Sequence, residues 1–299
     1  MAFTLQVKQK KLFGKTILDI PSLAHACGLC FGSDNDFYIL QEGEQDRGTA
    51  IFYNPNRIGR GIFFDGRKGA EGIYELSYNI PTTRAEIADF TRLAGEIERR
   101  LGKVEMYCTE EERNFTSREL EEGIESFALF SLKSLNDFCK NNQYQNWILT
   151  LAKWPYYLPE EKVASWKTCT NLLDFEQTLH DIQSIDVYYA KPKLLQKNDT
   201  KEIVAFYALT NECESIFPVR ADGVLNMGGL KVAQGFVQFV IYEEGRVLEG
   251  LHPYEIFAEA LKRRGVRMFD AEHILVPPMS KAELERLAEE LETGKGGGL

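Results

Sequence analysis

A chain of 299 residues carrying a net charge of −10, with 44% hydrophobic and 27% charged residues, has the make-up of a globular protein able to bury a large core and divide into two lobes. The acidic balance argues against nucleic-acid and anionic-membrane partners, since phosphate contacts need clustered Lys and Arg. No stretch approaches the roughly 20 apolar residues that a bilayer crossing requires, and the longest, Gly235 to Tyr242, has the length of a strand.

The opening residues Phe3, Leu5 and Val7 alternate as in a strand and run into Lys8, Lys10, Lys11 and Lys15, a basic cluster read as a solvated edge and turn. No apolar core of a signal peptide stands there, and six cysteines in such a chain do not form a disulfide scaffold, so a reducing cytoplasm is the expected compartment. A short helix is expected over Ser22 to Cys30. Apolar runs at Phe37–Leu40, Thr49–Tyr53 and Gly61–Phe64, set apart by Asn54-Pro55-Asn56 and Asp65-Gly66, complete a β-rich first eighty residues.

Gly72 to Cys108 carries the strongest pattern. Tyr74, Leu76, Tyr78 and Ile80 alternate, Pro81 stops the strand, and Thr83 with Glu86 forms a capping box for a helix whose stripe is Ile87, Phe90, Ala94, Ile97 and Leu101. Gly102 suits a left-handed cap, and Val104, Met106 and Cys108 alternate again. The Pro81-Thr82-Thr83 turn lacks the glycines through which a nucleotide phosphate approaches backbone N–H groups. A second capping box, Thr116 and Glu119, opens one long helix through Leu120, Ile124, Phe127, Leu135 and Phe138.

Asn141 to Leu179 is less regular and holds Trp147, Trp154 and Trp166 together with Pro155-Tyr156-Tyr157-Leu158-Pro159. It reads as a connection between lobes, its aromatic residues either packing the lobes together or lining a cleft. The second half offers strands at Ile185–Ala190, Ile203–Leu209 and Ile216–Val219, and a hairpin of Phe236–Tyr242 with Arg246–Leu248. A helix over Pro253–Arg264 and a strand over Val266–Phe269 follow, then a helix capped by Ser280 and Glu283 with the stripe Leu284, Leu287 and Leu291, and a disordered tail over Gly294–Leu299. Arg99-Arg100-Leu101-Gly102 and Arg263-Arg264-Gly265 echo each other after helices, which raises a duplication; different strand orders around the two helices would refute it.

Two motifs invite chemistry. Cys27-Gly28-Leu29-Cys30 is spaced as half a zinc site or a redox dithiol, but no second pair of ligands appears, and the pair falls near a helix end rather than its start; semi-buried thiols are the expectation, and no metal is assigned. Arg57-Ile58-Gly59-Arg60-Gly61 is a basic, glycine-rich loop and the first choice for a small-anion site, through Arg57, Gly59, Arg60 and Gly61. It leads into a strand and not into a helix N-terminus, so a hairpin with glycines at positive φ explains it without a ligand. Asn226-Met227-Gly228-Gly229 reads as a turn, and no catalytic signature stands in the chain, so the catalytic residues are unassigned.

The opening Val7-Lys8-Gln9-Lys10-Lys11-Leu12-Phe13-Gly14-Lys15, the loop Ile58-Gly59-Arg60-Gly61 and the run Tyr78 to Ile87 together resemble an uncharacterised bacterial family, domain of unknown function 4299. The resemblance implies a bacterial, cytoplasmic protein and brings no established activity, so it transfers no functional residue. The expected fold is α+β, in two lobes that each have a mainly antiparallel sheet with helices on one face. The expected organisation is an N-terminal lobe over 1–145, an aromatic-rich connection over 146–182, a C-terminal lobe over 183–293 and the tail 294–299. The expected function is that of a non-enzymatic binding or regulatory protein with a protein partner and no cofactor. The alternative is an enzyme of unrecognised class with a small-molecule site between the lobes, near Arg57, Arg60 or Tyr156.

Overall fold

A computed structural model gives the structure of the protein at residues 1–11, 14–141, 147–223 and 232–293. The expected turn at Asn226–Gly229 and the tail 294–299 lie outside the described residues, as do Leu12 and Phe13 of the opening motif. The fold class is α+β, built around a large antiparallel sheet. Two compact units divide the chain, Met1–Ile185 and Asp186–Leu299. Among the described residues no helix is long and apolar enough to cross a membrane.

In the first unit, β1 (Ala2–Gln9), helix α1 (Ile20–Cys27), β2 (Cys30–Asp34), β3 (Leu40–Glu42), β4 (Thr49–Tyr53), β5 (Ile62–Asp65), β6 (Ile73–Asn79), α2 (Arg84–Leu101), β7 (Val104–Cys108) and β8 (Arg113–Phe115) follow in order. The eight strands form one sheet in the order β3-β2-β4-β5-β6-β1-β7-β8, with every pairing antiparallel. The N-terminal strand β1 therefore lies between β6 and β7, which are joined through α2. Register sets Phe3 opposite Tyr78, Leu5 opposite Leu76 and Val7 opposite Tyr74. All six face one side and are buried, because a strand's side chains alternate across the sheet. Phe90 of α2 packs edge-on against Tyr78, with ring centroids 4.9 Å apart.

After β8 the chain forms α3 (Ser117–Glu122), α4 (Ile124–Lys140), the hairpin strands β9 (Ile148–Thr150) and β10 (Pro155–Tyr157), α5 (Glu160–Trp166) and α6 (Leu173–Gln183). The capping box of Thr116 and Glu119 is present in full. The single long helix expected after it is two, broken at Gly123, where an added Cβ would come within 2.8 Å of the Phe127 ring. The aromatic-rich stretch 146–182 lies within the first unit; there Trp166 is fully buried with its ring 5.0 Å from that of Phe175. Phe37 to Ile39, expected in a strand, is a turn held by Asn35, whose side-chain oxygen accepts from the N–H groups of Phe37 and Ile39.

The second unit contains β11 (Tyr188–Tyr189), β12 (Lys193–Gln196), β13 (Ile203–Thr210), β14 (Ser215–Pro218), β15 (Val232–Ile241), β16 (Arg246–Val247), β17 (His252–Pro253), α7 (Tyr254–Arg263), β18 (His273–Val276) and α8 (Lys281–Thr293). The expected hairpin is there: β15 pairs with β16, and Gly245 turns at φ 56°. The sheets are mixed: β12 with β13, β14 with β18, and β15 with β16 and β17 are antiparallel, while the longest ladder, β13 with β15, is parallel, as is β11 with β14. Leu284, Leu287 and Leu291 of α8 are completely buried in the core of this unit.

The Arg-Arg-Gly echo does not survive as a repeat. Helix α2 links two strands of the eight-stranded sheet, whereas α7 follows β17 and leads to Val266–Phe269, which is no strand; only Met268 forms an isolated bridge, to Ile274. The strand orders around the two helices differ.

Candidate functional site

The loop between β4 and β5 is built around a buried carboxyl group. Asn54 opens it by accepting from the N–H of Asn56, and Gly61 closes it at φ +89° with its N–H donated to Glu86 Oε2 at 2.6 Å. The other Glu86 carboxylate oxygen takes the hydroxyl of Thr82. Glu86 was expected to reach back to the backbone of Thr83. Instead only half of that box forms, with Thr83 accepting from Glu86 N, while the Glu86 carboxylate, 4% exposed, points into the loop. An added Cβ at Gly59 would collide with that same carboxylate.

The two arginines of the loop separate. Arg60 is partly buried and donates from Nε to Thr150 O at 3.0 Å, from Nη1 to Pro81 O at 2.9 Å and from Nη2 to Thr150 Oγ1 at 3.1 Å. Desolvation pulls its pKa down to about 10, against the opposing pull of Glu86. Burial in turn pushes the Glu86 carboxyl above its ordinary range, countered by its hydrogen bonds with Thr82 and Gly61 and by Arg60. Arg57 is exposed. Its charge acts on Asp89, whose pKa is raised by burial and lowered by Asn54, Arg92 and Arg57. Asp89 accepts from Asn54 Nδ2 at 3.0 Å and pairs with Arg92. The carboxyl groups facing this loop therefore come from α2.

The remaining backbone groups of the loop are held by α6 and the β9–β10 hairpin. Ile58 N–H donates to His180 Nδ1 at 3.3 Å, Gln183 Nε2 donates to Gly59 O at 2.9 Å, and Lys153 N–H donates to Gln183 Oε1 at 2.9 Å. Ser131 of α4 accepts from Thr82 N–H at 2.6 Å and donates to Thr82 O at 2.5 Å. Ser131 of α4, Glu86 of α2 and Arg60 of the β4–β5 loop thus meet at the Ile80-Pro81-Thr82 turn, where the Ile80–Pro81 bond is cis. Buried polar groups satisfied in this way fix one arrangement of their surroundings.

Cys27 and Cys30 fall at the end of α1 and the start of β2, with Gly28 at φ 62° between them. A helix C-terminus disfavours a thiolate, and burial raises the Cys27 thiol further. Both are free thiols. Among the described residues no cluster of His, Cys, Asp and Glu has the make-up of a metal site. Tyr156 is 3% exposed on β10 and faces no solvent. In the second unit, Tyr189 Oη lies 2.9 Å from His273 Nε2, and His273 Nδ1 lies 2.9 Å from Asp270 Oδ1. All three side chains are buried, and they join β11 to β18 across β14.

The open part of the first unit lies beside this network, along α4. A cavity of about 480 Å³ is lined by Phe3, Tyr78, Ile80, Phe127 and Phe130, with Glu110 and Glu111 at its rim. A second, of about 550 Å³, is lined by Ile80, Pro81, Phe138, Ile148, Arg60 and Lys133 among others. Met1, Ile80 and Phe130 belong to both, so the two adjoin. Phe130 is 47% exposed and its neighbour Leu129 is 68% exposed. The helical stripe read from the sequence placed Phe127 and Phe138 in the core and passed over Phe130. The spacing Phe127, Phe130, Ser134, Phe138 was the available signal, a second face beside the one through Ala128, Ser131 and Leu135.

No curated protein matches the chain, and no solved structure matches it. One family model, described as Domain of unknown function (DUF4299), matches residues 2–287. From the opening strand to the stripe of the last helix, the chain belongs to the DUF4299 family.

Proposed function

We propose that this is a non-enzymatic binding protein whose ligand seats its apolar part in the groove along α4. The reading rests on the adjoining cavities of about 480 and 550 Å³. Their size is that of sites for small ligands, roughly 300–1,000 Å³. Their shared wall puts Ile80 beside Phe130, which a helix keeps half exposed although covering it would remove apolar surface from water. The polar network at Thr82 and Ser131 holds the floor in place, so the groove is preformed and its ligand loses little affinity to reorganisation. The expected compartment remains the bacterial cytoplasm, in keeping with free rather than paired thiols at all six cysteines.

The test is equilibrium binding of the neutral dye Nile red, followed by its fluorescence. Wild-type protein is expected to bind the dye, and Phe130→Glu, which sets a carboxylate in the shared wall, is expected to weaken binding at least about tenfold, or about 1.4 kcal/mol. Equal binding by the two proteins, with circular dichroism unchanged, would refute the reading.

A further inference from the structure

We infer that the groove along α4 takes a small amphiphile with a carboxylate head, its head at the Arg60 and Lys133 end and its apolar chain toward Phe127 and Phe3; this rests on the binding function proposed above. Arg60 carries the argument. A guanidinium has five N–H donors, and Arg60 spends three of them on Thr150 and Pro81. Two remain on a desolvated cation that lines the 550 Å³ cavity. A carboxylate is the group whose two oxygens match such a pair of donors. Lys133 lines the same cavity, is exposed, and forms no ion pair among the described residues.

The carboxylates nearby do not cancel this end. Glu86 is already held by Gly61 and Thr82. Asp137, also on the cavity wall, sits 3.9 Å from Lys140. Arg60, Lys133 and Lys140 thus stand against Glu86 and Asp137. At the opposite end Glu110 lines the 480 Å³ cavity, accepts from Thr4 N–H at 2.7 Å and has no ion pair among the described residues, while Glu111 is offset by Arg113 at 3.0 Å. An anionic head is repelled there and attracted at the Arg60 end, so the charges fix the direction in which the ligand lies. Between the two ends the side chains of Met1, Ile80 and Phe130 are apolar and suit a chain. Two concave cavities of this size suit a small ligand better than a folded partner, which needs roughly 1,000 Å² of buried surface.

The experiment compares dodecanoate with dodecyltrimethylammonium, which share a chain and differ in head charge, as competitors of Nile red and directly by titration calorimetry on the full chain. Dodecanoate is expected to bind at least about tenfold more tightly, a preference of about 1.4 kcal/mol. Lys133→Glu should remove most of that preference, with circular dichroism unchanged, and an undiminished preference would count against the assignment; Arg60 is left intact because it also holds Thr150 and Pro81 in place. If the dye binds and the two amphiphiles compete equally, or the ammonium competes better, the carboxylate assignment falls while the groove stands. If neither the dye nor dodecanoate binds, both readings fall.

Discussion

The β4–β5 loop is closed by hydrogen bonds to Glu86, and its removal tests whether those bonds or its charge matter. Glu86→Ala leaves Gly61 N–H and the Thr82 hydroxyl without their acceptor in a buried setting. Each of the two unsatisfied donors costs about 1–3 kcal/mol, so the expected loss is about 2–6 kcal/mol. Glu86→Gln keeps an oxygen for Gly61 N–H and an amide that donates to Thr82 Oγ1. Because burial raises the carboxyl pKa, the ionised form is disfavoured in the fold, and the neutral amide should cost less than about 1 kcal/mol at pH 7. The sign with pH follows. Between the ordinary value of 4.5 and the raised folded pKa, the native state binds more protons than the unfolded chain. Wild-type stability from this group therefore falls as pH rises through that window, while Glu86→Gln lacks this dependence, so its deficit should narrow with rising pH. Urea unfolding followed by tryptophan fluorescence reads this cleanly, because Trp147, Trp154 and Trp166 are the chain's three tryptophans and all lie in the unit Met1–Ile185. With a slope of about 2 kcal/mol per molar urea, the alanine variant's midpoint should drop by roughly 1–3 M. A loss under about 0.5 kcal/mol for alanine would refute the latch, and equal losses for both variants would assign it to charge instead.

Further outcomes follow from the same geometry. Gly59→Ala drives a methyl into the Glu86 carboxylate and should lower stability by about 1–3 kcal/mol in the same fluorescence assay. Thr116→Ala removes the α3 cap and should cost about 1 kcal/mol. In the second unit Gly235→Ala meets the Ala221 side chain and should shift a transition seen by far-ultraviolet circular dichroism without moving the tryptophan transition. Cys27, buried and with its thiol pKa raised, should react with a thiol reagent at pH 7 only in denaturant; rapid labelling in the native protein would contradict its placement.

Much of the fold was legible in the sequence where one period dominated. The strand through Tyr74 to Tyr78 and the helix stripe from Ile87 to Leu101 stand as read, because each buries one face against a single partner layer. The short strands β2, β8, β12, β17 and β18 were not, since each carries too few residues to show a period and forms through long-range pairing. At the candidate site, the sequence offered Arg57, Gly59, Arg60 and Gly61 as either a small-anion loop or a plain hairpin, and had no means to show that Glu86 accepts from Gly61. A glutamate at N3 of a helix reads locally as a capping partner, and only the fold brings Gly61 within 2.6 Å of it. Phe130 was passed over for a related reason: it falls outside the stripe of Leu120, Ile124, Phe127, Leu135 and Phe138, and only the packing of α4 on Ser131 and Leu135 shows what its side of the helix faces.

Hydrogen–deuterium exchange of the full chain with and without dodecanoate tests the central claim most directly. The groove account predicts added protection over residues 1–3, 78–81 and 126–138, segments that wall the cavities along α4. Protection confined to residues 219–222, 232–235 and 254–262, around the second unit's cavity, would contradict it, as would no change anywhere.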